Sequence, residues 1–478
     1  MVADLEARFE RDAERWKAIA RPTPEWFRRA KLGFFIHWGP YSVPAWGEPV
    51  AELGEIPPTE WFRHNPYAEW YHNTIRLEGS PAQRHHAEVH GGCDYDDFLD
   101  AWRAERFDAD AAVAELVAAG GSYVMLTTKH HDGVCLWDAP GTGDRNTVRR
   151  GPGRDLVGEW ADAARRAGMR FGAYYSGGLD WHAAPTEPIG LRDDWDLTER
   201  PVDQGYASYA AGHLRDLIAR YNPDVLWNDI NWPDAGKDFG PDGVGTVFEE
   251  YYAANPEGLV NDRWQVPHQD YATSEYKHLQ QCENAAVWEH CRGVGLSFGY
   301  NSVEGPEHAM TPLELMKHLV DIVWRVGRMP LDVGPKADGT LPGWQSEILR
   351  GIRRWMQVAG RWLPDLVADG ELEVEGAWTR LGRAGESRLL FIDADVPVAI
   401  PEGRLLTPEW ASLEGGTLTC AEDRPSPGGR GTDLNRVRRT PRPRPDANAC
   451  LPVVSGGRDS RTSANSSSWR WTVDSASR

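Results

Sequence analysis

Cysteine is scarce in this chain: there are six in 478 residues, and none is spaced as CxxC. That excludes a zinc ribbon and a disulfide framework, and the thiols read as reduced. Long apolar runs are missing as well. No stretch reaches the roughly 18 apolar residues of a membrane span. The opening "MVADLEARFERDAERWKAIARP" is charged and amphipathic without a signal-peptide core, so a soluble, cytoplasmic protein is expected. Positive charge is in deficit: 52 Lys and Arg face 72 Asp and Glu, a formal net charge of −20. Nucleic acid and anionic membrane would meet a repulsive field and are not expected as partners. No GxGxxG follows the first apolar run, and neither a P-loop nor a GxSxG occurs. A nucleotide-binding sheet and a serine hydrolase thereby lose their usual supports.

Tryptophan, by contrast, is plentiful, with 23 residues. Flat amphipathic rings fill cores, and they also grip the apolar faces of sugars. From residue 26 to about 365, short apolar runs alternate with helical patterns, the signature of a parallel α/β fold. The runs are "GFFIHW" (33–38), "SYVMLTTKH" (122–130), "RFGAYYS" (170–176), "DVLWND" (224–229), "GLVNDRW" (258–264), "AAVWEH" (285–290) and "MPLDVG" (329–334). Seven such runs predict a (β/α)8-like barrel over 1–365 with one strand irregular or missed. A loop-rich insertion at about 40–92 should lie over one end of it. Alternating polar and apolar residues over 366–423 predict a small, incomplete C-terminal β-sandwich. From Arg424 to Arg478 there are 11 Arg and no Lys, Ile, Phe or Tyr. That composition cannot build a core and reads as a disordered or aberrant tail.

Chemistry in such a barrel sits at the C-terminal strand ends. The residues closing the runs are His37 and Trp38; Lys129, His130 and His131; Tyr174, Tyr175 and Ser176; Asn228 and Asp229; Asp262, Arg263 and Trp264; and Glu289 and His290, with Glu69 and Trp70 from the insertion and Glu275 from "YATSEY". A metal site would draw on His130, His131 and Asp132, but adjacent strand residues face opposite ways, so no metal is expected. Glycoside hydrolysis needs two carboxylates flanking an anomeric carbon. It uses more of this set than any other chemistry considered, with Asp229 and Glu275 as the pair.

The ordered stretches "KLGFFIHWGPYSVPAW", "YAEWY", "TTKHHDGVCLWD", "RRGPGRDLVGEW", "FGAYYSGGLDW", "PDVLWNDINWP", "VNDRW", "YATSEY", "GLSFGYN" and "VGPKADGT" resemble the α-L-fucosidases of glycoside hydrolase family 29. The resemblance covers roughly residues 20–365 and weakens towards 405. It implies a (β/α)8-like barrel with a C-terminal β-sandwich, and a retaining double-displacement mechanism without metal or cofactor. Asp229 then matches the nucleophile and Glu275 the acid/base, with Glu289 of "VWEH" as the main rival for that second role because the acid/base is poorly aligned across the family. His37, Glu69, Trp70, His130, His131, Tyr174 and Arg263 match positions that contact the sugar. The implied partner is a fucosylated oligosaccharide or glycoside, and homo-oligomerisation stays open. A related glycosidase on a galactose-like sugar and an inactive sugar-binding barrel are the alternatives. One departure stands out: "RVGRMPLDVGP" carries Asp332 where the family usually has an asparagine.

Overall fold

The computed structural model describes residues 2–191, 200–276, 282, 285–371, 373, 375 and 377–394, with short strand segments between 398 and 420 and one at 451–455. Eight strands organise the first part: β1 (Leu32–Ile36), β2 (Tyr123–Lys129), β3 (Arg170–Ser176), β4 (Val225–Asp229), β5 (Leu259–Val260), β6 (Ala272–Glu275), β7 (Trp288–Gly293) and β8 (Met329–Val333). They form one sheet in the order β5-β4-β3-β2-β1-β8-β7-β6, every pair parallel. This is the expected (β/α)8-like domain, with a seam where β5 and β6 share no ladder. Side chains cross the seam: Thr273 donates from Oγ1 to Asp262 Oδ1 (2.7 Å), and Arg263 donates from Nε to Thr273 Oγ1 (3.0 Å).

Every residue of β1, β2, β4 and β8 is buried, as parallel strands covered on both faces must be. The helices Ala109–Ala118, Leu156–Arg166 and Gln204–Tyr221 start at Asp108, Asp155 and Asp203. Each of these carboxylates accepts from a backbone N–H of the first turn, which satisfies donors the helix cannot. Inside the sheet, Phe35, Tyr123, Met125, Tyr174, Val225, Trp227, Leu259 and Cys291 form one apolar cluster. Strand side chains alternate with a period of two, so Val225, Trp227 and Asp229 share a face. The apolar run thus ends in an acid because the same inward row passes from core to barrel mouth.

Seven of the eight strands coincide with the apolar runs. The missed one is β6, "ATSE", whose small polar residues give no apolar alternation. The seventh strand is also displaced: the sequence puts it at 285–290, whereas β7 spans Trp288–Gly293. Glu289 and His290 therefore sit near its start rather than at its end. The insertion expected to be loop-rich contains the helical turns Pro58–Arg63, Ala68–Trp70 and Tyr71–Thr74, and the helix Pro81–His90. It brings Trp61, Phe62, Tyr67 and Trp70 onto Leu179, Trp181, Tyr276 and Phe298, a second apolar cluster.

Compactness divides the chain into 1–312 with 326–354, and 313–325 with 355–478. The composition change at 365 falls inside the second unit. That unit holds two antiparallel sheets of a small β-sandwich: five strands, β9 (Val367–Ala368), β10 (Ala377–Ala384), β11 (Ser387–Ala394), β13 (Arg404–Leu405) and β16 (Leu451–Ser455), and three, β12 (Val398–Ala399), β14 (Ala411–Glu414) and β15 (Thr417–Cys420). Leu451–Ser455 lies in the segment read from composition as disordered. Its "LPVVS" is a local apolar, β-branched run, and it pairs with β11 from Leu451↔Ile392 to Ser455↔Arg388. The rest of 424–478 lies outside the described residues.

Candidate active site

A cavity of about 490 Å³ opens at the C-terminal ends of the strands. Its lining includes the nine residues to which the family resemblance assigns a role, His37, Glu69, Trp70, His130, His131, Tyr174, Asp229, Arg263 and Glu275, but not Lys129, Asn228, Asp262, Glu289 or His290. Asp229 is its best-anchored acid. Oδ1 accepts from Arg263 Nη1 (2.9 Å) and from the backbone N–H of Ile230 (2.9 Å), and Oδ2 accepts from the Tyr174 hydroxyl (2.8 Å). The turn behind it is strained. Ile230 has φ +66° and Asn231 φ +132°, and a β-branched residue at positive φ is a true outlier. Asn228 clamps that turn, donating from Nδ2 to the carbonyls of Asn231 (2.8 Å) and Arg263 (3.0 Å). Trp232 is buried against Trp264 (5.2 Å between ring centroids) rather than facing the cavity.

Burial alone would raise the Asp229 carboxyl, but the Arg263 guanidinium and the hydrogen bonds from Arg263 and Tyr174 oppose it, and the group is held below the usual carboxylate value. Burial pulls the Arg263 pKa down, but Glu275 and Asp229 oppose it so strongly that the guanidinium ends well above its ordinary value. Arg263 reaches both acids: Nη2 lies 3.5 Å from Glu275 Oε2. The same guanidinium lies over the Trp227 ring, 4.6 Å from its centroid.

The histidines enter the cavity uncharged. Burial depresses His37 to about 4 and His131 to about 3, and pushes His130 well below its ordinary value. The alternation argument fails at the histidine pair, because β2 ends at Lys129 and both residues follow it. Their rings lie 4.0 Å apart, both facing the cavity. His131 Nδ1 is paired with Ser176 Oγ (2.7 Å), and its Nε2 is 3.8 Å from Asp229 Oδ2. Among the described residues no group of three or more His, Cys, Asp or Glu is arranged to hold a metal ion.

Glu69 comes from the insertion. Its Oε2 accepts from Gly299 N–H (2.8 Å) and Ser297 Oγ (3.2 Å), while Oε1 has no partner among the described residues. Burial lifts its carboxyl to about 7, against the pull of His37 and two backbone hydrogen bonds. Glu289, the rival to Glu275, is fully buried one layer below the cavity. It accepts from the Tyr123 hydroxyl (2.8 Å) and Trp227 Nε1 (3.0 Å) and is absent from the lining. His290 turns to Ser274 Oγ (2.9 Å) and also stays out. Missed from sequence were the wall residues Phe35, Trp227, Cys291 and Phe298. Phe35 and Trp227 could have been found, each lying two positions before a polar cavity residue on the same strand face. Phe298, in a loop beyond β7, carries no such signal.

An acid held ionised beside a second carboxylate, ringed by neutral imidazoles and aromatic walls at the open end of a parallel barrel, is the arrangement that cleavage of a glycosidic bond requires. By fold and site the chain is a glycoside hydrolase. The family description "Alpha-L-fucosidase" matches residues 2–361, and the chain belongs to that family. The alpha-L-fucosidase of Dictyostelium discoideum is 30% identical over 358 residues, 72% of each chain. The tissue alpha-L-fucosidase of Homo sapiens is 31% identical over 353 residues, 72% of this chain and 70% of that one. Among solved structures, Thermotoga maritima alpha-fucosidase in complex with fucose superposes with a TM-score of 0.72 at 40% identity, covering 84% of this chain and 94% of the other.

Proposed function

We propose that this chain is a retaining exo-α-L-fucosidase that works by double displacement, with Asp229 as nucleophile and Glu275 as acid/base. The observation that carries the reading is the single guanidinium of Arg263, which contacts both carboxylates (2.9 and 3.5 Å) in one cavity. One cation shared between two acids keeps them close, in keeping with the separation of about 5 Å that retaining enzymes use, rather than the wider gap that admits a water. Asp229, held ionised, attacks the anomeric carbon. Glu275 gives its proton to the departing glycosidic oxygen, then takes one from the water that hydrolyses the glycosyl-enzyme. Neutral His37 and His130 can donate to ring hydroxyls, and Glu69, with one oxygen unpartnered, can accept from one. Phe35, Cys291 and Phe298 offer an apolar wall suited to the methyl group of a 6-deoxy sugar.

Hydrolysis of 4-nitrophenyl α-L-fucoside followed by proton NMR tests this. α-L-Fucose should form first and only later mutarotate. First formation of the β-anomer would rule out retention, and no turnover by folded protein would rule out the activity.

A further inference from the structure

Among the buried acids that the proposed chemistry leaves unused, Asp332 touches a histidine of the cavity. Asp332, on β8, is 1% exposed and stands opposite Phe35 in the β1–β8 ladder. Its Oδ1 lies 2.6 Å from His37 Nδ1, and its Oδ2 has no partner among the described residues. The His37 ring is held between Phe35 and Phe298, both 5.0 Å away between centroids, and the Phe298 contact is stacked. With Nδ1 committed to Asp332 and the ring plane fixed, Nε2 is the nitrogen left for the cavity that His37 lines.

We propose that Asp332 is a positioning residue for catalysis. Held against His37 Nδ1, its carboxyl keeps the imidazole with Nε2–H turned to the cavity as a fixed donor to a substrate hydroxyl. The inference rests on the fucosidase reading above and adds a residue to it. It follows from counting protons. If a carboxylic acid donates to Nδ1, Nε2 carries the ring proton. If instead an imidazolium Nδ1–H donates to a carboxylate, Nε2 carries a proton too. Two states leave Nε2 bare: a carboxylate beside a neutral Nδ1–H tautomer, which adds a negative charge beside a cavity already lined by Asp229, Glu69 and Glu275, and a neutral acid accepting at Oδ1, which buries its proton on Oδ2 where no acceptor stands among the described residues.

Among the described residues no cation offsets such a charge. Arg263 is occupied by Asp229 and Glu275. The other groups around the pair, His130 beyond β2, Tyr41 and Tyr174, Tyr276 after β6 and Cys291 on β7, are uncharged, their thiol and phenol pKa values raised and the His130 value lowered by burial. Burial pushes the Asp332 carboxyl well above the usual range, in the same direction. An amide at 332 can hold Nδ1 through its N–H in the same way, but it cannot lose that proton as pH rises. An alkyl group holds nothing.

The test uses α-L-fucosyl fluoride, whose leaving group needs no proton, so the alkaline limb is freed from the demand for an acid. Near pH 6, Asp332→Asn should keep kcat/KM within about threefold of the parent, and Asp332→Leu should lose about thirtyfold or more. The alkaline fall of the parent should move upward in Asp332→Asn by about one pH unit or more. In parallel, ¹⁵N-histidine NMR of the full chain, with His37 assigned through His37→Gln, should show a protonated Nε2 at pH 7. Superimposable pH profiles for the parent and Asp332→Asn, or a bare Nε2 at pH 7, would overturn the proposal. If the folded parent releases no fluoride, the fucosidase reading fails instead, while the nitrogen spectrum still decides the tautomer.

Discussion

Two layers of the barrel interior hold the same three kinds of residue with opposite results. In the upper layer, Asp229 meets Tyr174 and Arg263; in the lower one, Glu289 meets Tyr123 and lies in the field of Arg328. Both carboxylates accept from a tyrosine hydroxyl at 2.8 Å. Yet Asp229 is held below its ordinary pKa, whereas burial lifts Glu289 above its own despite Tyr123, Trp227 and Arg328. The difference is contact. Arg263 donates directly to Asp229, while Arg328 spends a donor on the Trp288 carbonyl (2.9 Å) and lies over the Phe27 ring (4.0 Å). A buried carboxylate is kept ionised by a cation it touches, not by one nearby. Trp227 divides the layers, its ring beneath Arg263 and its N–H on Glu289.

Removing each acid breaks the comparison most severely. Asp229→Ala should lower kcat at least about a thousandfold on 4-nitrophenyl α-L-fucoside, since it deletes the proposed nucleophile. Azide should restore part of the turnover. Glu289→Gln keeps the shape of a side chain that lies outside the cavity, so kcat should stay within about tenfold and the loss should fall on melting temperature. Comparable kcat losses in the two variants would collapse the division into a reactive and a structural layer.

Removing the touching cation comes next. Arg263→Met leaves Asp229 without its principal stabilising charge, and the pKa of the carboxyl should rise. The sign follows from the role: the nucleophile must be ionised, so activity is lost as pH falls through its pKa. A raised pKa moves the acid limb of kcat/KM to higher pH. The rate at the optimum should drop about a hundredfold as well, because Glu275 loses the same partner. An unmoved acid limb would show that Arg263 does not set the ionisation of Asp229.

The layers were not equally legible in the sequence. Asp229 was legible because strand alternation is strict, and an acid two places beyond a core tryptophan must share its face. Glu275 was named without its strand, since four small polar residues carry no apolar period. The exposure of Glu289 to the mouth was misjudged because a shift of three residues in the start of β7 moves a residue down a layer, and turn geometry sets that start. His130 and His131 both reach the cavity because β2 stops one residue earlier than its composition suggests. The approach of Asp332 to His37 across the β1–β8 ladder joins positions 295 residues apart, which no local pattern reports.

The finest test exchanges one oxygen in each layer. Tyr174→Phe deletes a donor to Asp229, whose Oδ1 keeps Arg263 and the Ile230 N–H. The carboxyl should rise a little, shifting the acid limb up by a few tenths of a unit, with kcat falling by no more than about tenfold and the melting temperature nearly unchanged. Tyr123→Phe deletes the donor to Glu289 Oε2, and Trp227 on the other oxygen becomes the remaining strong donor among the described residues. That acid is fully buried, so losing the bond should cost about 1–3 kcal/mol in denaturant unfolding. It should leave the pH profile untouched, because the bonds of Asp229, the proposed nucleophile, run through Arg263, Tyr174 and Ile230. A Tyr123→Phe variant whose acid limb moved as far as that of Tyr174→Phe would mean that Trp227 couples the two carboxylates rather than separating them.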